Sequence, residues 1–269
     1  MTTLFVISGL AACRSATGPL PPNAEPFEPP AVYARWWAMT EACSGRSGNL
    51  AAVRWYRAPG SAVLLNGEPV AAFWGSRGNR IVLAEEQVDN GAGVRHEMLH
   101  ALLQQRGHPR AEFLEACASV LDCPGVCATD GGPWRPPRQD YVVLPPDSLD
   151  VDSEAKLLPP EADGQRWLAM QISVRNARDR AVVVAAPGDM VTPPTFAYDV
   201  RGPAGGISGA DVASDSSTLF FRPHETKSRL FEFRVASELT PYRVPPGTHL
   251  VRGGYARLWA GYDTISVIP

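Results

Sequence analysis

The stretch Val94-Arg95-His96-Glu97-Met98-Leu99-His100 constrains this chain more than any other. Two histidines stand four residues apart, with a glutamate directly after the first. On a helix, residues i and i+4 share a face with Cβ atoms about 5–6 Å apart, so both imidazoles reach one ion. Glu97 falls on the flank of that face, where a carboxylate serves as general base without ligating the metal. The surroundings favour a helix. Asp89 and Asn90 are N-capping residue types, and Val94, Met98, Leu99, Leu102 and Leu103 form an apolar stripe. Immediately upstream, residues 80–85 (RIVLAE) read as a strand.

A strand followed by a helix bearing H-E-x-x-H resembles the zincin superfamily of zinc metallopeptidases. The resemblance implies Zn2+ held by His96 and His100, with Glu97 taking a proton from the attacking water and passing it to the leaving amine. It also implies a peptide or protein substrate, its extended backbone lying along the edge of strand 80–85. A catalytic site needs a third protein ligand. The metzincin branch takes it from a histidine six residues after the second, with a glycine midway, but Arg106 and Leu103 occupy those positions here. His108 is the nearest substitute. A helix running to Arg106, with Gly107 beyond its end and Pro109 opening the next, carries that point about 9 Å past His100. A second helix over 109–121, returning antiparallel about a turn centred near 107–108, brings Glu115 level with His100. That arrangement resembles the gluzincins. Glu115 is the expected third ligand, with His108 as the alternative.

The apolar run 4–10 and Leu10-Ala11-Ala12-Cys13 resemble a bacterial lipoprotein signal peptide. They imply a signal peptide over 1–13, lipidation of Cys13, and a proline-rich tether over 14–30. The chain is then exported to the cell envelope, on the outer-membrane or periplasmic side in a two-membrane cell, and touches membrane only through that anchor. Cys43, Cys117, Cys123 and Cys127 remain, an even number that suits two disulfides in an exported chain. Cys123 with Cys127 closes a local loop and leaves Cys43 for Cys117; a structural zinc site on the clustered cysteines is the alternative. Net charge is −3 with no basic block, which argues for no nucleic-acid partner.

With 26 prolines and 24 glycines, turns are expected to outnumber long helices. A helix over 31–42 places Trp36 and Trp37 in the core, and strands follow at 50–56 and 71–74. Residues 131–146 read as a Gly/Pro linker. Beyond it, short strands are expected at 167–174 and 180–184, paired as a hairpin, and at 196–200, 219–222, 230–235, 249–252 and 255–260. His224 and His249 read as surface residues. The strand and turn spacing resembles the bacterial intracellular proteinase inhibitor family. The expected fold is an α+β zincin-like domain over 31–130 followed by an all-β immunoglobulin-like sandwich over 147–269. The expected function is an exported zinc metallopeptidase. The rival is a non-catalytic surface lipoprotein whose zinc-binding zincin scaffold binds a protein partner.

Overall fold

The computed structural model describes residues 20–123, 127, 140–184, 194–212 and 219–269. Cys13, the expected signal peptide, the first part of the expected tether and positions 131–139 of the expected linker lie outside the described residues. The N-terminal half runs β1 (Glu25–Pro26), α1 (Val32–Ser44), β2 (Arg54–Ala58), β3 (Val63–Leu65), β4 (Glu68–Val70), β5 (Ala72–Gly75), β6 (Arg80–Ala84) and α2 (Gly91–Leu103). The C-terminal half opens with β7 (Tyr141–Leu144), β8 (Asp150–Leu157), β9 (Trp167–Arg175), β10 (Ala181–Val184), β11 (Pro194–Gly202) and β12 (Gly205–Val212). It continues with β13 (Phe220–Phe221), β14 (Thr226–Val235), β15 (Arg243–Val244), β16 (Gly247–Tyr255), β17 (Leu258–Trp259) and β18 (Asp263–Val267).

This corrects the expected fold class. Strands dominate the chain, arranged among the described residues in five small sheets, with two α-helices of 13 residues each. It is not an α+β zincin-like domain followed by an immunoglobulin-like sandwich. The second helix expected over 109–121 does not form. Instead, residues after Pro109 make one π-helical turn, Ala111–Ala116, in which Cys117 N–H donates to Glu112 O at 2.9 Å.

In the N-terminal half the sheet order is β1-β2-β6-β5, so β6 lies between parallel β2 and antiparallel β5. Both backbone edges of β6 are therefore used, and the expectation that strand 80–85 offers an edge to substrate fails. Buried on both faces, β6 reads as the continuous run Ile81-Val82-Leu83-Ala84 rather than an alternation. The last part of the expected tether is also structured, since Glu25 and Pro26 pair with Arg57 and Tyr56. The two helices pack closely where α2 begins. A Cβ on Gly91 would lie 2.9 Å from the Trp36 ring, so only glycine fits the contact.

The C-terminal strands form three sheets around one apolar core that includes Met170, Ile172, Val182, Tyr198, Phe233 and Val251. The expected 167–184 hairpin does not form. β9 pairs with β8 and β14, whereas β10 pairs with β7 and β13 in another sheet. Asn176 makes the crossing, its side-chain amide donating to Arg180 O and Arg222 O at 2.9 Å each. Tyr141–Leu144, assigned to the linker, is strand β7, parallel to β10. His224 is exposed, but His249 is buried with Nε2 2.8 Å from Pro245 O, contrary to its expected surface position.

The halves share a core. Trp167 of β9 packs edge-on against Trp36 of α1, centroids 5.0 Å apart, within one cluster that also holds Val94 and Met98 of α2. Arg95, fully buried on α2, pairs with Glu232 of β14, and Arg35 Nη1 of α1 meets the other Glu232 oxygen at 2.5 Å. Asp89, just before α2, accepts from Arg243 Nε at 2.5 Å.

Candidate metal centre

Asn90 starts α2, its Oδ1 accepting from Gly93 N at 3.1 Å and so satisfying one of the free amides of the first turn. Every residue from Val94 to Ala101 is buried, because sheet, α1 and β14 surround the helix. The helix stops at Leu103, almost a turn earlier than the end at Arg106 that Gly107 and Pro109 suggest. Gln104 is left-handed (φ 53°), a conformation that costs a non-glycine residue about 1–2 kcal/mol. Its side-chain amide offsets part of this by donating to Ala101 O at 2.5 Å and Asn79 Oδ1 at 3.3 Å. The chain then doubles back and lays His108 against the helix.

The result is a cluster of three imidazoles. His108 Nε2 lies 3.2 Å from both His96 Nε2 and His100 Nε2. All three residues are at most 5% exposed, and Glu97 beside them is buried as well. His96 Nδ1 is 2.6 Å from Asp122 O, and His100 Nδ1 is 3.0 Å from Gln105 O. A carbonyl oxygen only accepts, so each Nδ1 carries the proton and each Nε2 points a lone pair inward. His108 Nε2 holds at most one proton and can direct it at only one of those lone pairs. A shared cation resolves the conflict: three neutral imidazole nitrogens converging on one point are a donor set for a borderline metal ion.

Electrostatics point the same way. Burial, and then the neighbouring His100 and His108, push His96 well below the ordinary histidine range, against the pull of the Asp122 carbonyl. Burial and His108 lower His100 to about 3 despite the Gln105 carbonyl. His96 and His100 are thus neutral near pH 7, the state in which imidazole ligates metals. The Phe113 ring packs against all three histidines, centroids 4.9–5.0 Å away, and gives the cluster an apolar neighbour. Trp74 of β5 lies nearly parallel to His100, centroids 6.4 Å apart.

Glu115, expected as third ligand, is exposed on the π-helical turn and outside the cluster. The early stop of α2 is the reason. With the reversal at Gln104 rather than Gly107, His108 comes back level with His96 and His100 and Glu115 overshoots to solvent. Cys43 pairs with Cys117 and Cys123 with Cys127, Cα–Cα 5.0 and 5.6 Å. His96, Cys123 and Cys127 also bring ligand atoms within 4.8 Å of one another. Sulfurs joined to each other are not thiolates, however, so this second set does not compete for metal in the paired state. Sequence reasoning missed the Asp122 and Gln105 carbonyls, since backbone acceptors carry no residue signature. Phe113 was legible only as an apolar position. The cleft of about 800 Å³ lined by Phe27, Arg54, Trp55 and Tyr56 lies elsewhere and includes none of the three histidines.

No family model matches this chain, and no curated protein matches it. Among solved structures, the structural-genomics target SoR45 aligns at 12% identity and TM-score 0.26, over 46% of this chain and 89% of its own. The protein assigned as ApaA in Bordetella pertussis aligns at 12% identity and TM-score 0.25, over 45% and 94%. The β-glucosidase DesR of Streptomyces venezuelae aligns at 13% and 0.25, over 45% of this chain and 15% of its own. Likeness at these scores carries no argument about fold or function.

Proposed function

We propose that this chain is an exported zinc-dependent hydrolase of peptide bonds, with His96, His100 and His108 as metal ligands and Glu97 as general base. One observation carries the reading. The H-E-x-x-H helix gains a third imidazole from a separate segment, with the tautomers of His96 and His100 set so that both Nε2 atoms face it. Zinc, when bound, supplies a Lewis acid that polarises a carbonyl and acidifies water. The protein's part is to hold and to move protons. The three imidazoles would supply nitrogen donors to the ion, fewer than the four ligands of a closed structural site. Glu97, one residue along from His96, takes the proton of the attacking water and returns it to the departing amine. Phe113 and Trp74 keep the surroundings apolar, which strengthens each electrostatic interaction within. The paired cysteines suit an oxidising compartment, in keeping with the lipobox-like Leu10–Cys13.

The test joins metal analysis to a peptide-library cleavage assay on the full chain. Stoichiometric zinc with zinc-dependent cleavage is expected. Glu97→Gln should keep the metal and lose about 10²–10⁴-fold in rate, since the amide preserves shape but accepts no proton at neutral pH. Cleavage by Glu97→Gln at the wild-type rate would refute the assignment of the base. Stoichiometric zinc with no cleavage of any peptide would instead favour a non-catalytic metal protein, a reading consistent with the deep burial of the histidines.

A further inference from the structure

The loop 118–122 connects the metal centre to the C-terminal half through five consecutive carbonyls. Ala118 O accepts from Arg229 Nη1 at 2.9 Å, and Ser119 O accepts from the backbone N–H of Leu230 at 2.9 Å. Val120 O accepts from Arg95 Nε at 2.5 Å, and Leu121 O from Arg229 Nη1. The fifth, Asp122 O, accepts from His96 Nδ1. Arg229 also reaches the Asp122 carboxylate with Nη2 at 3.3 Å, and its Nε lies 2.5 Å from Asp211 of β12. The loop is therefore docked along the side of β14 that faces away from β9, and Arg229 is its main clamp. Asp122 N–H, donating to Ala92 O at 3.3 Å, ties the far end to the first turn of α2.

We propose that Arg229, on a strand of the C-terminal half, is a positioning residue of the metal centre. It holds loop 118–122 so that the Asp122 carbonyl meets His96 Nδ1, and this keeps His96 Nε2 unprotonated and aimed at His100 and His108. The C-terminal half is then a working part of the metal site rather than an appended module. This inference rests on the metal-centre reading and deepens it. Neutral imidazole has two tautomers, and the partner of one nitrogen decides which is populated. Outer contacts of this kind are typically worth 10–100-fold in metal affinity. The fork geometry matters here: one guanidinium serves two carbonyls and two carboxylates, which a lysine ammonium cannot reproduce.

The experiment uses the full chain and the variants Arg229→Gln and Arg229→Lys. Histidine ¹⁵N shifts in the metal-free protein report the His96 tautomer, and Co²⁺ titration against a chelator, read by its absorption bands, reports affinity. Wild type should show a single Nδ1–H tautomer at His96. Arg229→Gln should show a tautomer mixture and a 10–100-fold weaker Co²⁺ site, with Arg229→Lys between the two. Should Arg229→Gln fail to fold, the lysine variant decides alone. A folded Arg229→Lys protein with wild-type tautomer and wild-type Co²⁺ affinity overturns the proposal. If wild type binds no Co²⁺, the metal-centre reading fails, while the tautomer measurement still supports or overturns the positioning role.

Discussion

Replacing His108 by alanine separates the observed site from the one that helix geometry alone suggests. His108 is the vertex of the cluster, with Nε2 3.2 Å from both partners, whereas Glu115 is exposed outside it. Structural zinc sites bind with about 10–16 kcal/mol, or roughly 2.5–4 kcal/mol per ligand over four ligands. Loss of one imidazole of three should therefore cost on the order of 3 kcal/mol, about a hundredfold in affinity. The effect should also appear as linkage. At zinc a hundred times the wild-type Kd, wild type gains about 2.7 kcal/mol of stability, while a variant binding a hundredfold more weakly gains only about 0.4 kcal/mol. The assay is chelator competition with zinc, beside thermal unfolding with and without the metal, on His108→Ala and Glu115→Ala. Glu115→Ala should behave as wild type in both. Should Glu115→Ala lose the metal and His108→Ala retain it, the reversal at Gln104 and the three-histidine assignment are both wrong.

Glu232→Gln leaves Arg95 buried without a counter-charge, and denaturant melts should show a loss of about 3–5 kcal/mol. The same pair predicts acid sensitivity. Burial alone would raise the Glu232 carboxyl, but Arg95 and Arg35 outweigh it and hold it below the ordinary carboxylate range. The pair's contribution is therefore complete above about pH 4–5, the unfolded value, and disappears as pH falls through the lower folded value. Melts of wild type and Glu232→Gln should converge as the pH drops through that window. Reducing the Cys43–Cys117 bridge, which spans a sequence separation of 74, should destabilise the chain by up to about 4 kcal/mol on the loop-entropy argument. Melts of a Cys43→Ser/Cys117→Ser variant, compared with the oxidised protein, test this; equal midpoints would show that the bridge constrains nothing.

Much of the site was written locally. The capped, apolar run around His96, Glu97 and His100 forms a helix because capping and hydrophobic periodicity act within a few residues, and the structure carries those three side chains on α2. The strand before it was legible for the same reason. Strand partners were not. β9 and β10 look like a hairpin in sequence, yet each finds another sheet, because pairing is decided by long-range packing rather than by the intervening turn. The alternating Asp150–Leu157 is a strand in the structure that was not among those expected, although its side chains alternate between small or apolar and charged.

What the sequence determined by itself is a helix presenting two imidazoles and a carboxylate, together with four cysteines beyond Cys13. The third imidazole was decided only in three dimensions, by a left-handed torsion at Gln104, a residue type that gives no warning of it. That torsion persists because Ala101, Asn79 and the packed loop beyond hold it, and a local pattern cannot encode such support. The tautomer of His96 lies further still from the motif. It depends on a backbone carbonyl held by Arg229, 133 residues along the chain, which nothing but the docking of one half on the other brings into place.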